Sequence, residues 1–414
     1  MVLDARCFHY LAFFLRTWFL HGAFEFTLYF PKSMSIQDTY RTDLANFLGI
    51  NADQISLYWK GRVGLYAVLK AMGIGPGDEV ILPAFTCVVV PNAILYTGAT
   101  PVYVDIDPNS LCCGAQSIEN AITPKTKVLL IQNMLGLSYK VHELVALAKA
   151  HGIYTIEDCT HGFGGKYQGQ FNGLISDAAF FSSQWNKPFS TGIGGMLVVN
   201  NPALKEPLQK INATLLPPGF KDRAVLSALI WARTYLLKGY TYWTLLRCYR
   251  WLSKKGWVIG SSSTEELSGT TMPEGYFKNM SQVQCRIGKI ALKSLTDAMI
   301  IRKTNALKVH KWLVKHDKTC VPEFHIEDHA FLKYPLLVQD RGAFLEKAEK
   351  ARLPLGDWFV SPLHPVKSSL IPWGLNIDEY PHACYISEHI VNLPLEGDLS
   401  RLINFLELYQ NEIL

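Results

Sequence analysis

The sequence predicts an α/β protein built on a mostly parallel central sheet. Two observations carry that prediction. Between about residues 55 and 200, short β-branched runs alternate with helical patterns that end on glycine. The runs are also apolar throughout rather than at every second position, as in strands buried on both faces. They are "EVILP" (79–83), "PVYVD" (101–105), "KVLLIQ" (127–132) and "IYTIED" (153–158), and "VHELVALAKAHG" (141–152) is the helical pattern between the last two. Ligands of such sheets gather beyond the carboxyl ends of the strands.

Composition sets the bounds. With 414 residues, 49% hydrophobic and 18% charged, the chain can bury a sizeable core and form two domains. A net charge of +5, without a lysine- or arginine-rich run, falls short of a nucleic-acid footprint. Nine cysteines lie scattered, with no C-x-x-C and no zinc spacing, which argues against disulfides and structural metal and fits a reducing cytoplasm. The N-terminal stretch 7–30 is rich in aromatics and leucine, but Arg16 and Glu25 interrupt it, and Asp4 spoils a signal-peptide start. It reads as a helical arm on the body or on a second subunit, or as a segment lying in a membrane interface.

The chemistry centres on "SSQWNKPFSTGIGG" (182–195), where one lysine, Lys187, stands among small and polar residues between the apolar runs "AAFF" (178–181) and "MLVV" (196–199). Asp158 ends a strand about thirty residues earlier. A strand-end carboxylate followed, after further buried strand, by a lysine suits pyridoxal phosphate: the amine forms a Schiff base and the Asp pairs with the pyridinium nitrogen. The phosphate wants backbone N–H groups at a helix start and a hydroxyl. "KGRVGLYAVLKAMG" (60–73) offers the first, and Ser182 the second.

These residues sit within longer stretches. The chain resembles the DegT/DnrJ/StrS family of pyridoxal-phosphate-dependent sugar aminotransferases through "GIGPGDEVILPAFTCVVVPNAILYTGATPVYVDIDP" (73–108), "ITPKTKVLLIQNMLG", "IEDCTHGFGG", "SDAAFFSSQWNKPFSTGIGGMLVVNN", "NMSQVQCRIGKIALKSL" and "SEHIVNLPLEG", in the family's order. The resemblance implies fold type I, with a large cofactor-binding domain (41–206 and 272–290) and a smaller C-terminal α/β domain (291–414). An N-terminal arm (1–40) and an insertion (207–271) complete the division. It implies Lys187 as the Schiff-base lysine, Asp158 at the ring nitrogen, and Gly61 and Arg62 at the phosphate through their backbone N–H groups, with Ser182 adding its hydroxyl. Cys87 falls where the family stacks an aromatic on the ring, and His161 replaces a Gln near the ring hydroxyl, so its charge state would enter the pH profile.

The resemblance further implies a homodimer in which an Asn of one subunit reaches the partner's cofactor phosphate. Here Phe277 holds the aligned place and Asn279 stands two residues on, so either Asn279 takes over or the contact is lost. The "HY" usual before the late "PLH" is missing from "GDWFVSPLHP" (356–365), which leaves the family's manner of sugar recognition open. The reaction implied is transfer of an amino group, by resemblance from L-glutamate, to a keto-sugar. Two alternatives stand beside it. One is a sugar dehydratase, in which the family's lysine gives way to histidine, against which Lys187 argues; the other is a membrane-associated scaffold with lapsed catalysis.

The insertion is the least family-like part. Residues 223–260 hold Arg223, Arg233, Lys238, Arg247, Arg250, Lys254 and Lys255 and no acidic residue, with Trp231, Trp243, Trp251 and Trp257. A basic, aromatic helical pair broken near Gly239 fits an anionic lipid surface, which would make the protein peripheral on the inner face of a membrane. It fits equally a helical hairpin packed on the body.

Overall fold

Each apolar run in the first half of the chain forms a strand, and the central strands are buried along almost their whole length. The computed structural model describes residues 34–236, 264–323 and 326–414. In chain order the first ten strands are β1 (Ile55–Tyr58), β2 (Glu79–Pro83), β3 (Thr86–Cys87), β4 (Thr100–Val104), β5 (Thr126–Gln132), β6 (Tyr154–Asp158), β7 (Lys166–Tyr167), β8 (Gln170–Phe171), β9 (Ala178–Ser182) and β10 (Gly195–Val199). Seven of them make one sheet in the order β1-β10-β9-β6-β5-β2-β4. Neighbours from β9 to β4 pair in parallel, while β10 runs against both β1 and β9. The mostly parallel sheet is therefore as expected. The reversal at β10 is not legible in an apolar run, because burial on both faces looks the same in either direction.

The helices cover the sheet as their patterns require. The Gly61–Ala71 helix buries Val63, Leu65, Val68 and Leu69. The Val141–Ala150 helix ends before Gly152, whose φ of 67° is the left-handed turn that a glycine takes without strain.

A second core lies in the C-terminal third. Strands β11 (Tyr334–Leu337) and β13 (Ile390–Leu393) pair antiparallel, flanked by the Leu295–Lys315, Arg341–Lys350 and Ser400–Leu408 helices, which contribute Val309, Leu313, Phe344 and Phe405. Strand β12 (Leu363–His364) pairs in parallel with β3, setting Leu363 opposite Thr86 and His364 opposite Cys87. Asp105, just past β4, accepts from the backbone N–H groups of His382 and Ala383 at 2.9 Å each. These contacts bring the late "PLH" segment to the ends of the central strands.

The chain divides into Met1–Ser35 and Ile36–Leu414. The aromatic segment 7–30 lies outside the described residues, as do Arg247, Arg250, Lys254, Trp243, Trp251 and Trp257. The described part of the insertion includes the Phe220–Tyr235 helix. It packs Leu226 and Ile230 against Trp59, Trp185 and Ile193, and leaves Phe220, Trp231 and Tyr235 exposed. Among the described residues no helix is long and apolar enough to cross a membrane, and no cluster of His, Cys, Asp and Glu could hold a metal ion.

Glu157, one residue before Asp158 and facing the other side of β6, is fully buried, with the Cys159 thiol and the Ser176 hydroxyl donating to it at 3.3 and 3.4 Å. Burial pushes its carboxyl up from 4.5 to about 7. An acid whose pKa is raised on folding favours the folded state fully below its unfolded value, and that contribution is lost as pH rises through the folded one. Glu157→Gln should therefore gain on the natural protein by about 3 kcal/mol as pH rises from roughly 4.5 to 8. Denaturant unfolding at both ends of that range checks this; a constant gap between the two proteins would show that Glu157 does not titrate there.

Candidate active site

The site begins where two backbones meet. A Cβ on Gly61 would lie 2.8 Å from the Phe181 carbonyl oxygen and 3.3 Å from Ser182 Cβ, while one on Gly195 would strike the Gly61 nitrogen and the Lys60 carbonyl. Only bare backbone fits there. The Gly61–Ala71 helix thus starts directly against the ends of β9 and β10, and no side chain caps it. Ser182 closes β9 opposite Gly195, so its side chain stands beside the helix start.

The Lys187 loop is folded flat by its small residues. The Ser183 and Thr191 hydroxyls pair at 2.7 Å, Thr191 Oγ1 donates to the Ile193 carbonyl at 2.9 Å, and Arg302 Nη1 donates to the Pro188 carbonyl at 3.0 Å. That folding holds Lys187 inward. Its ammonium lies 5.0 Å from the centre of the Trp358 ring. Burial pulls the amine down to about 8, against the upward pull of Cys87 and Asp158, while Arg62 adds to the fall. A lysine so tuned carries a free amine at working pH far more often than one on the surface.

Asp158 ends β6, buried, with its carboxylate accepting from the Thr160 N–H at 2.9 Å. Burial raises it, and the N–H bond and Lys187 draw it back down. His161 follows one turn later. Its Nδ1 accepts from the Leu135 N–H at 3.1 Å, which fixes the neutral form with the proton on Nε2. Burial, Lys187 and His364 hold it well below its usual value. The expectation that the charge of His161 enters the pH profile is thus corrected: held neutral, it offers an Nε2–H donor where the resemblance has a Gln amide.

Cys87 sits half-buried on β3 beside His364, its thiol pushed up by burial and within the fields of Arg62, Lys187 and Asp158. Arg62 is buried, and its guanidinium pairs with Glu266 at 2.6 Å, so what it offers a ligand is its backbone. Asn279 bridges to Tyr58, and its Oδ1 accepts from the Met280 N–H at 2.7 Å, while Phe277 packs edge-on to Tyr66. Within one chain, Asn279 is thus engaged with its own backbone.

Sequence reasoning missed Trp358. Its ring stacks on His161 at 5.1 Å and 2° between planes, and Phe359 continues the wall to His364 at 4.8 Å. The signal was present in "GDWFVSPLHP", where aromatics precede the retained "PLH". Glu266 was missed because it lies in the segment with least resemblance.

The residues fit pyridoxal phosphate on the chemistry of the donor set. A bare glycine cradle and a hydroxyl suit a phosphate, a buried carboxylate suits a ring nitrogen, an N–H donor suits a ring oxygen, and an amine drawn down to about 8 suits an aldehyde.

This chain is similar to several known proteins. A GDP-perosamine synthase of Escherichia coli O157:H7 is 42% identical over 144 residues, which cover 35% of this chain and 40% of that protein, less than half its length. The spore coat polysaccharide biosynthesis protein SpsC of Bacillus subtilis (strain 168) is 29% identical over 343 residues, covering 81% of this chain and 79% of that one. A putative sugar aminotransferase from Streptococcus pneumoniae, solved in its PLP form, aligns over 90% of each chain with a TM-score of 0.66 at 19% identity, a likeness that shows the fold type I architecture. The DegT/DnrJ/EryC1/StrS aminotransferase family matches residues 35–228 and 244–401. Matched from its first described helix into its last, this chain belongs to the DegT/DnrJ/EryC1/StrS aminotransferase family.

Proposed function

We propose that this aminotransferase uses pyridoxal phosphate to move an amino group from an amino acid, L-glutamate by resemblance, to a nucleotide-linked keto-sugar in the making of a cell-surface glycan or natural product. The observation that carries the reading is the amine of Lys187, drawn down to about 8 in one field with Asp158. When bound, the cofactor supplies an aldehyde that condenses with amines and a ring that takes up the electron pair left when a proton leaves the adjoining carbon. The chain's own residues do the rest. Lys187 Nζ takes the proton from the donor carbon as general base and returns it as general acid, and a pKa near 8 lets it do both near neutrality. Asp158, kept in place by the Thr160 N–H, accepts from the ring nitrogen and keeps it protonated. His161 donates through Nε2, and the backbone N–H groups of Gly61 and Arg62 with the Ser182 hydroxyl hold the phosphate. Trp358 lies over the amine on one side.

The same reading includes a two-fold dimer, in which Asn279 serves the partner's cofactor. It is supported by the course of residues 275–284 along the edge strand β1, where the Trp59 N–H donates to the Lys278 carbonyl at 3.0 Å. It also includes contact with the inner face of a membrane, supported by the exposed Phe220, Trp231 and Tyr235 on a helix that carries Arg233.

Four measurements test these statements. Incubation with pyridoxal phosphate followed by borohydride should fix the label on Lys187, and the rate of labelling should rise with pH around a midpoint near 8; labelling of another lysine, or none, would overturn the cofactor assignment. Lys187→Ala should cut turnover by about 10⁴-fold or more, since one group supplies both the attachment and the proton transfer. Light scattering at assay concentration should give the mass of a dimer, as expected of an obligate pair whose interface buries over about 2,000 Å², and a fully active monomer would contradict it. Flotation should recover the protein with anionic but not neutral vesicles, and reversal of Arg247, Arg250 and Lys254 to Glu should release it without loss of turnover; equal failure with both vesicles removes the membrane contact.

A further inference from the structure

Lys60 and Arg62 bracket Gly61 at the turn where the phosphate cradle opens, and both side chains lead to a carboxylate on the far side of the insertion. Glu266, on the Thr264–Ser268 helix, stands 2.6 Å from Arg62 Nη1 and 3.6 Å from Lys60 Nζ. The Glu266 side chain is 2% exposed and that of Arg62 is 6%. Taking such charges out of water is unfavourable unless they are closely paired. The main chain brings this carboxylate in by separate contacts. Asn92 Nδ2 donates to the Glu266 carbonyl at 2.8 Å, Trp373 Nε1 fixes Asn92 by donating to its Oδ1 at 2.7 Å, and Leu267 packs on the main core. On the other side, the Tyr276 hydroxyl donates to the Arg62 carbonyl at 3.1 Å. Burial and Arg62 pull Lys60 down to about 8, and Glu266 opposes them.

A phosphate at Gly61 would bring up to two negative charges to a turn whose flanking cations already share a carboxylate. We infer that Glu266 is a tethered anion of the phosphate site: it offsets part of the charge of Lys60 and Arg62 in the cofactor-free protein and competes with an incoming phosphate for the same positive field. The inference rests on the cofactor reading above for the identity of the phosphate, and on the Glu266–Arg62–Lys60 cluster for the competition. It has an unusual consequence. Removing the carboxylate weakens the free protein, because it leaves two cations repelling each other, yet strengthens anion binding, because the field is no longer offset. A residue that served only as a structural tie would shift both in the same direction.

The test uses the full-length protein stripped of cofactor, as the natural chain, Glu266→Gln and Glu266→Asp. Melting temperatures are taken with and without inorganic phosphate, and pyridoxal phosphate affinity is read from visible absorbance. Glu266→Gln should melt several degrees lower without phosphate, rise more than the natural chain when phosphate is added, and bind pyridoxal phosphate roughly tenfold tighter. Glu266→Asp should behave as the natural chain does. An equal phosphate response, or an affinity that is unchanged or weaker in Glu266→Gln, overturns the competition. Should Glu266→Gln fail to fold, Lys60→Met keeps the Arg62–Glu266 pair and removes one positive charge. It should bind phosphate and pyridoxal phosphate more weakly, and unchanged binding overturns the inference. If the natural chain takes up no pyridoxal phosphate on Lys187, the cofactor reading fails and the phosphate arm still decides the role of Glu266. If it loads and Glu266→Gln matches it in both arms, only that role falls.

Discussion

The closest backbone approach in the site, between Gly61 and Gly195, sets the position of everything around it. Side chains at either place would collide with main-chain atoms, so strand β10, the start of the Gly61–Ala71 helix and the end of β9 are locked at a separation that no rotamer change can relieve. From that lock two consequences follow. The helix start is bare and faces Ser182. The loop between β9 and β10 has both its ends fixed, which leaves its hydroxyl pairs to fold it flat and turn Lys187 inward. The cations on either side of Gly61 meet at Glu266.

A second constraint closes the site from above. Strand β3 has no partner of its own in the central sheet and pairs instead with β12 from the C-terminal third. That short pairing, with Thr86 N–H and Val88 N–H donating to the Pro362 and His364 carbonyls, carries Trp358 and Phe359 over Lys187 and His161. The low pKa of the lysine follows from this assembly, because burial is its first cause and part of the cover comes from a segment some 170 residues away in sequence.

Much of the fold was legible because buried strands and their helices announce themselves locally. The runs at 79–83 and 127–132 became strands almost to the residue. Lys187, Asp158, Gly61 and Ser182 were legible as residue types in a telling order, and the structure gathers them at one end of the sheet. What could not be read was anything fixed by contact across the chain. The direction of β10 depends on its pairing, and the neutrality of His161 depends on the Leu135 N–H and on burial beneath Trp358. Glu266 has no local signature at all; it is an acidic residue in a polar stretch until the fold lays it against Arg62.

The titratable groups around Lys187 show that the departures at Cys87 and His161 add no charge to the site near neutrality. His364 is driven down to about 4, first by burial, and His161 well below its usual value, so neither histidine carries charge near neutrality. Cys87 is pushed up by burial and stays a thiol there. Substitutions that look capable of adding charge to the site have thus been made electrically silent by their surroundings. Glu157, pushed up to about 7, faces the other side of β6; on the site's own side the amines that titrate closest to neutrality are Lys187 and Lys60, each drawn to about 8. One is placed to handle a proton; the other flanks the cradle where an anion would bind. Burial acts on both amines in the same sense, so on the proposed cofactor reading the proton-handling amine and the cation beside the cradle titrate over the same range of pH.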